Sequence, residues 1–202
     1  MINLLIKETT IGLGPVGGLL EKLREQQGTK GDWTLSALDK PVAFERAFHE
    51  LTPLSPESRE VLRESGYGGE VIDNIGSEEE ATIYQEAGLR CTEVNGKEAL
   101  VNDDIDLEQK DLFGKTNLER MDAGKPPLDK NGRPLELHHI GQKADSPLAE
   151  LTHVQHMEGG NNKVLHDTTK ESEIDRSAFA KEREAHWKAR AETYKQQETE
   201  AA

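Results

Sequence analysis

Five of the seven histidines in the 202-residue chain fall between positions 138 and 166, and two of them are adjacent in GRPLELHHIGQ, residues 132–142. Neutral imidazole can donate a lone pair to a cation or accept a proton from water near neutral pH. The apolar–acidic–apolar alternation before His138 reads as a strand, and neighbouring strand residues point to opposite faces. His138 and His139 therefore do not readily share one metal. A division of labour follows, with one imidazole binding a cation and the other facing a substrate as a base. Downstream, His153 and His156 are spaced i, i+3 and share a helix face, and His166 comes after a Gly-Asn break. A clamp of His138, His156 and His166 leaves a coordination position open, which is the pattern of a catalytic metal; a purely structural site favours four closed ligands. Cys91 is the sole cysteine. It excludes an intrachain disulfide and a four-cysteine zinc knuckle, so a metal site must use histidines and carboxylates.

The elements that must hold these side chains are mixed. RPLELHHI is the outgoing strand of a hairpin whose turn is Asp129–Gly132. SPLAELTHVQHM, from residue 146, reads as a helix with Ser146 as cap and Pro147 at its first position. EGGNN breaks it, and KVLHD is a short apolar stretch around His166. SEIDRSAFAKEREAHWKARAETYKQQ is a long helix, with Ser172 and Asp175 as a weak capping box. Phe179, Arg183, Trp187, Arg190 and Tyr194 fall on one face of it. Packing suits Phe179 and Trp187.

Upstream the pattern is mainly helical. Residues 16–27 and 41–50 read as short amphipathic helices. Ser55-Pro56 opens a helix that Gly66 stops, and Ser77 caps another that ends at Gly88. Asn95-Gly96, between CTEV and KEALV, marks a β-hairpin over residues 90–102. NDDIDLEQKD lacks the glycine and the spacing of a calcium loop and reads as a solvated turn.

Hydrophobic residues make up 34% and charged residues 32% of the chain, so the core should be modest. The net charge of −14 argues against a simple polyanion binder. The charge is uneven, however: residues 1–110 carry −11, residues 111–195 carry −1, and the tail carries the rest. The second half can therefore approach a phosphate backbone, especially around a bound cation. The opening MINLLIKETTIGLGPVGGLL is too short and too interrupted to span a bilayer, and it lacks the basic segment and cleavage site of a Sec signal peptide. It reads either as the start of a piece of a longer protein or as a short N-terminal arm.

LELHHIGQ, together with SPLAELTHVQH, GNNKVLHD and the long final helix, resembles the LHH nucleases of the HNH/endonuclease VII superfamily, found as C-terminal modules of bacterial polymorphic toxins. KTNLERMDAGKPPLDKNG resembles the usual lead-in. The resemblance covers residues 112–192. It implies an α+β fold with an HNH-type, treble-clef-like ββα-metal core. The corresponding division is an acidic, mainly helical adaptor-like region over 1–110, a nuclease domain over 111–195 and a frayed tail over 196–202. On that pattern His138, His156 and His166 hold one divalent ion (zinc, magnesium, manganese or nickel), with His153 as substitute, and His139 is the general base. Glu136 shares a strand face with His138 and is expected to orient an imidazole. Arg133 and Lys163 are expected to clamp phosphate oxygens, joined by Arg183 and Arg190. The asparagine of the HNH pattern is missing ahead of His156, and Gln142, Ser146, Asn161 or Asn162 is expected to do its orienting work. The implied function is a weakly sequence-specific DNase toxin delivered into the cytoplasm of a competing cell. Its expected partners are DNA, RNA less so, a cognate immunity protein, and a delivery apparatus or parent toxin chain. The alternatives are a non-catalytic, metal-stabilised interaction module and an RNase of the same fold.

Overall fold

The computed structural model describes residues 50–167, 169 and 172–201. The helices expected at 16–27 and 41–50 lie outside the described residues, apart from Glu50. The remainder is a mixed α+β structure. Three short helices, α1 (Pro56–Glu64), α2 (Gly69–Asn74) and α3 (Glu78–Glu86), precede a hairpin of β1 (Arg90–Val94) and β2 (Lys97–Val101). Helix α4 (Asn117–Asp122), strand β3 (Glu136–His139), a 3-10 turn (Ile140–Gln142) and strand β4 (Leu148–Leu151) follow. Helices α5 (His153–Met157), α6 (Asn161–Leu165) and α7 (Arg176–Ala201) complete it. Among the described residues no helix is long and apolar enough to cross a membrane.

The local signals explain most of these elements. Ser55 Oγ accepts from the Ser58 amide and Ser77 Oγ from the Glu80 amide, so both expected caps form. Asn95 and Gly96 both have positive φ, 52° and 78°, as a two-residue type I′ turn requires. Helix α7 takes its cap from Asp175, whose carboxylate accepts from the amides of Ser177 and Ala178; Ser172 is not the cap.

The segment 146–157 differs from the reading of a single helix. Leu148–Leu151 is a strand with every residue buried, paired antiparallel with β3 and parallel with β2. Full burial between two layers rewards a continuous apolar strand, and periodicity alone does not separate that from a buried helix. Ser146 bonds the Lys143 carbonyl instead of capping. The helix starts only after Thr152, which forms a reciprocal capping box with Gln155.

The sheet runs β1-β2-β4-β3, so β3, with the double histidine, is an edge strand. One hydrophobic core joins α1–α3 to this sheet through Leu62, Ile72, Tyr84, Leu100, Ile140, Leu151 and Leu165. On the other side α7 packs through Trp187 and Ala191 on Leu135, Leu137, Leu148 and Met121. The division expected at residue 110 is therefore not a division in packing: β1 and β2 belong to the same sheet as β3 and β4, and residues 49–202 form one compact unit.

Candidate metal centre and adjacent groove

Strand alternation separates the two adjacent imidazoles. His138 turns toward α5 and α6, its ring centroid 5.2 Å from those of both His156 and His166. His139 turns toward α7, 4.5 Å from the Phe179 ring. His156 comes from the last turn of α5 and His166 from the residue that ends α6, so three short elements, β3, α5 and α6, deliver one imidazole each. One nitrogen of each of His138, His156 and His166 lies within 4.8 Å of the other two.

The hydrogen bonds fix two of the three tautomers. Glu136 Oε2 lies 2.5 Å from His156 Nδ1, so that nitrogen donates and Nε2 keeps its lone pair. The Asn162 carbonyl oxygen lies 3.2 Å from His166 Nδ1, which again leaves Nε2 bare. His156 Nε2 and His138 Nδ1 stand 3.4 Å apart. Two nitrogens about 2.0–2.1 Å from one tetrahedral zinc ion would stand about 3.3 Å apart. His138 is 4% exposed, and its Nε2 is buried without a hydrogen-bond partner. Burial, reinforced by the neighbouring imidazoles His156, His166 and His139, holds His138 well below the ordinary imidazole range. His166 is lowered in the same way, first by burial and then by His156. Crowded imidazoles, two of them with fixed tautomers and a carboxylate or carbonyl partner behind, suit a divalent cation.

Glu136 occupies the strand face shared with His138 and orients imidazoles, with Oε1 on His153 Nδ1 at 2.9 Å and Oε2 on His156. Burial works to raise its pKa, but the hydrogen bonds from His153 and His156 prevail and hold the carboxyl below its usual range. His153 stands outside the cluster of three, occupied by Glu136. Of the orienting candidates, Asn162 acts through its backbone carbonyl. Asn161 donates to the Gln155 carbonyl, and Gln142 accepts from the Asp167 amide beside His166. Arg133 is exposed and 3.8 Å from Glu158, and Lys163 is exposed on α6.

Arg190 corrects an expectation. It is 2% exposed, with Nε 2.9 Å from Glu150 Oε1, and it donates to the Asn102 carbonyl and to Tyr194 Oη. A guanidinium buried this deeply does not reach a phosphate. Arg183 is exposed, lies over the Phe179 ring at 4.9 Å, and lines a groove of about 620 Å³ with Lys125, Pro134, Glu136, His156 and Trp187.

Two carboxylates were not anticipated. Glu182 Oε2 lies 3.0 Å from His139 Nε2, which fixes the lone pair on Nδ1; that nitrogen makes no hydrogen bond among the described residues. Glu150, 0% exposed, accepts from the Asn102 amide and from His186 Nε2 at 2.7 Å, and it forms an ion pair with Arg190. Both are tied to one row of α7, since Glu182, His186 and Arg190 are spaced i, i+4, i+8. That row is visible in the sequence beside the aromatic stripe.

Residues 116–193 match the model of a family described as LHH, a nuclease of the HNH/ENDO VII superfamily with conserved LHH. The matched segment contains Leu137-His138-His139, the three clustered imidazoles and Glu182. No solved structure matches the chain.

Proposed function

We propose that the protein is a metal-dependent endonuclease that hydrolyses phosphodiester bonds of DNA with little sequence specificity, and that it acts as a toxin delivered into competing bacterial cells. The observation that carries the enzymatic reading is the convergence of three imidazoles among the described residues, beside a separately held fourth. On this reading β3, β4 and α5 are the ββα-metal core, with His138, His156 and His166 as ligands. A bound divalent ion would supply Lewis-acid polarisation of a phosphoryl oxygen and charge stabilisation at the leaving oxygen.

The chain's own residues do the rest. Glu136 and the Asn162 carbonyl occupy Nδ1 of His156 and His166, so their Nε2 lone pairs would be free to hold an ion. Glu182 accepts from His139 Nε2–H, so His139 Nδ1 is the base that removes a proton from the attacking water. Glu182 also stabilises the imidazolium that results. Strand β3 is at the sheet edge, so only one backbone separates the ligand face from the base face. Arg183 and Lys125 on the groove wall would bind flanking phosphates as charge-assisted donors. A cognate immunity protein and a delivery apparatus are the partners this role requires.

The test is supercoiled plasmid and an RNA of similar length incubated with the protein and magnesium, manganese, nickel or zinc, with chelator controls. Metal-dependent nicking of the plasmid supports the reading. RNA cleavage with intact plasmid moves the substrate to RNA, and no cleavage by metal-loaded protein leaves an interaction module. His139→Ala should abolish cleavage, a loss of about 10²–10⁴-fold, while metal stoichiometry persists. His138→Ala should lower metal stoichiometry itself.

A further inference from the structure

The loop between β2 and α4 carries two adjacent large apolar side chains in full solvent, Leu112 at 102% and Phe113 at 91% exposure. Isolated exposed apolar residues are ordinary. This pair is different because its backbone is held. Lys110 and Thr116 form an antiparallel bridge, the Asp111 amide donates to the Lys115 carbonyl at 2.8 Å, and Gly114 closes the turn at φ +79°. The Asp111 carboxylate accepts from the Phe113 and Lys115 amides. It is itself fixed by Arg120 at 2.7 Å, in an ion pair whose side chains are 14% and 10% exposed. The sequence invests a nearly buried ion pair in presenting two hydrophobes to water.

Arg120 also connects this tip to the groove. Its Nε donates to the Pro126 carbonyl at 3.0 Å, and Pro126 lines the groove that Glu136 and His156 border. The charges around the tip are mixed, with Glu108 and Glu119 exposed near it and Glu136 and Glu184 on the groove wall, but four of the cations stand unpaired. Lys110 and Lys115 flank it, and Lys125 and Arg183 line the groove; none of the four pairs with a carboxylate among the described residues. In a chain of net charge −14 that grouping fits a polyanion. An aromatic ring alone would suit stacking on a single-stranded base, but leucine beside it suits a wedge between base pairs.

We propose that residues 110–116 form a wedge for duplex DNA. Leu112 and Phe113 enter between two base pairs, and Lys110 and Lys115 hold phosphates on either side. The kink so produced would lay the neighbouring strand into the groove that leads to His156. The proposal rests on the nuclease reading for the identity of the ligand, but its readouts are binding and unstacking, not cleavage.

The test uses the full chain and a short duplex with one 2-aminopurine, measured by anisotropy and by base fluorescence in chelator so that no strand is cut. The intact protein should raise 2-aminopurine fluorescence at a bound step. Leu112→Ser with Phe113→Ser should bind on the order of tenfold more weakly and lose the fluorescence rise, with unchanged thermal stability. Phe113→Trp should keep both signals. Unchanged binding in the double variant overturns the proposal. So does weaker binding with no fluorescence rise in the intact protein, and so does a fall in melting temperature, which would mean that the pair packs within the chain. Vesicles of mixed phosphatidylglycerol and phosphatidylcholine form a second arm: binding lost there and kept on DNA would make the tip a membrane contact and overturn the wedge. If the wedge signals appear but plasmid is never cut with any metal, the nuclease reading fails and the wedge stands.

Discussion

His138 and His139 are neighbours in sequence with different surroundings, and the difference governs how each should respond to change. His138 is buried and held neutral, so its folded pKa lies well below the value near 6.5 of an unfolded chain. As pH falls past that value the unfolded state takes the proton first. Stability is therefore retained above about pH 6.5, is lost progressively below it, and stops falling from this source only once the folded pKa is passed. His166 acts in the same direction. Denaturant titrations of the metal-free protein at pH 8, 6.5 and 5 should show the loss, and His138→Leu should flatten it. Zinc affinity should fall at lower pH, where the folded imidazoles themselves take protons, because protonated imidazole has no lone pair for a metal. Zinc affinity that never falls with pH while the protein stays folded would remove the histidine site from consideration.

Glu182 belongs at the same scale. Its contact with His139 Nε2 predicts that Glu182→Ala lowers kcat by about 10–100-fold, as loss of an orienting carboxylate does elsewhere, with zinc stoichiometry intact. Glu182→Asp should recover part of the rate. A KM effect with unchanged kcat would show that Glu182 acts through substrate binding instead. The histidines were legible from spacing and alternation, because those depend only on the local period of the chain. Glu182 was not, since it meets His139 across 43 positions and only the docking of α7 brings the two together.

Among the elements, β4 and α7 are joined by the Glu150, His186 and Arg190 group. A carboxylate and a guanidinium buried together contribute little net stability, but removal of one strands the other. Glu150→Ala should destabilise by about 3–5 kcal/mol, read as a lower denaturant midpoint with an unchanged slope. A Glu150→Leu, Arg190→Leu double variant should recover much of that loss. The same elements explain where pattern reading stopped. Caps at Ser55 and Ser77, the Asn95-Gly96 turn and the long α7 follow from signals within a few residues. Strand β4 does not, because LAEL is a strand only by virtue of β2 and β3 on its two sides. The Arg190 misreading has the same origin: a helix face shows which residues lie together, but not whether a carboxylate waits opposite.

The whole molecule sets the limit of the nuclease module. The family match begins at residue 116, yet β1, β2 and helices α1–α3 complete its sheet and its core. Gly141, at φ +67°, lies so close to the Asn74 backbone that a Cβ would collide with its carbonyl, and its amide donates to Glu80. The loop after the double histidine is thus held from α2 and α3. Residues 111–202 alone should lack a cooperative thermal transition by circular dichroism, whereas 50–202 should melt in a single step. A cooperative melt of the shorter piece would show that the sheet tolerates the loss of two strands. The composition did show a lean chain with an acidic first half; the shared core did not follow, since burial is a property of the assembled sheet.

The Glu150 group also orders events in time. A ribosome delivers the chain from its N-terminal end, so β4 can pair with β2 as soon as it emerges. Glu150 is then a carboxylate with no cation, and His186 follows it only 36 residues later. Until α7 arrives the sheet carries an unmatched charge on the face that α7 will cover, and His139 lacks Glu182. The contact between His139 and Glu182 thus forms only once α7 has been made and docked.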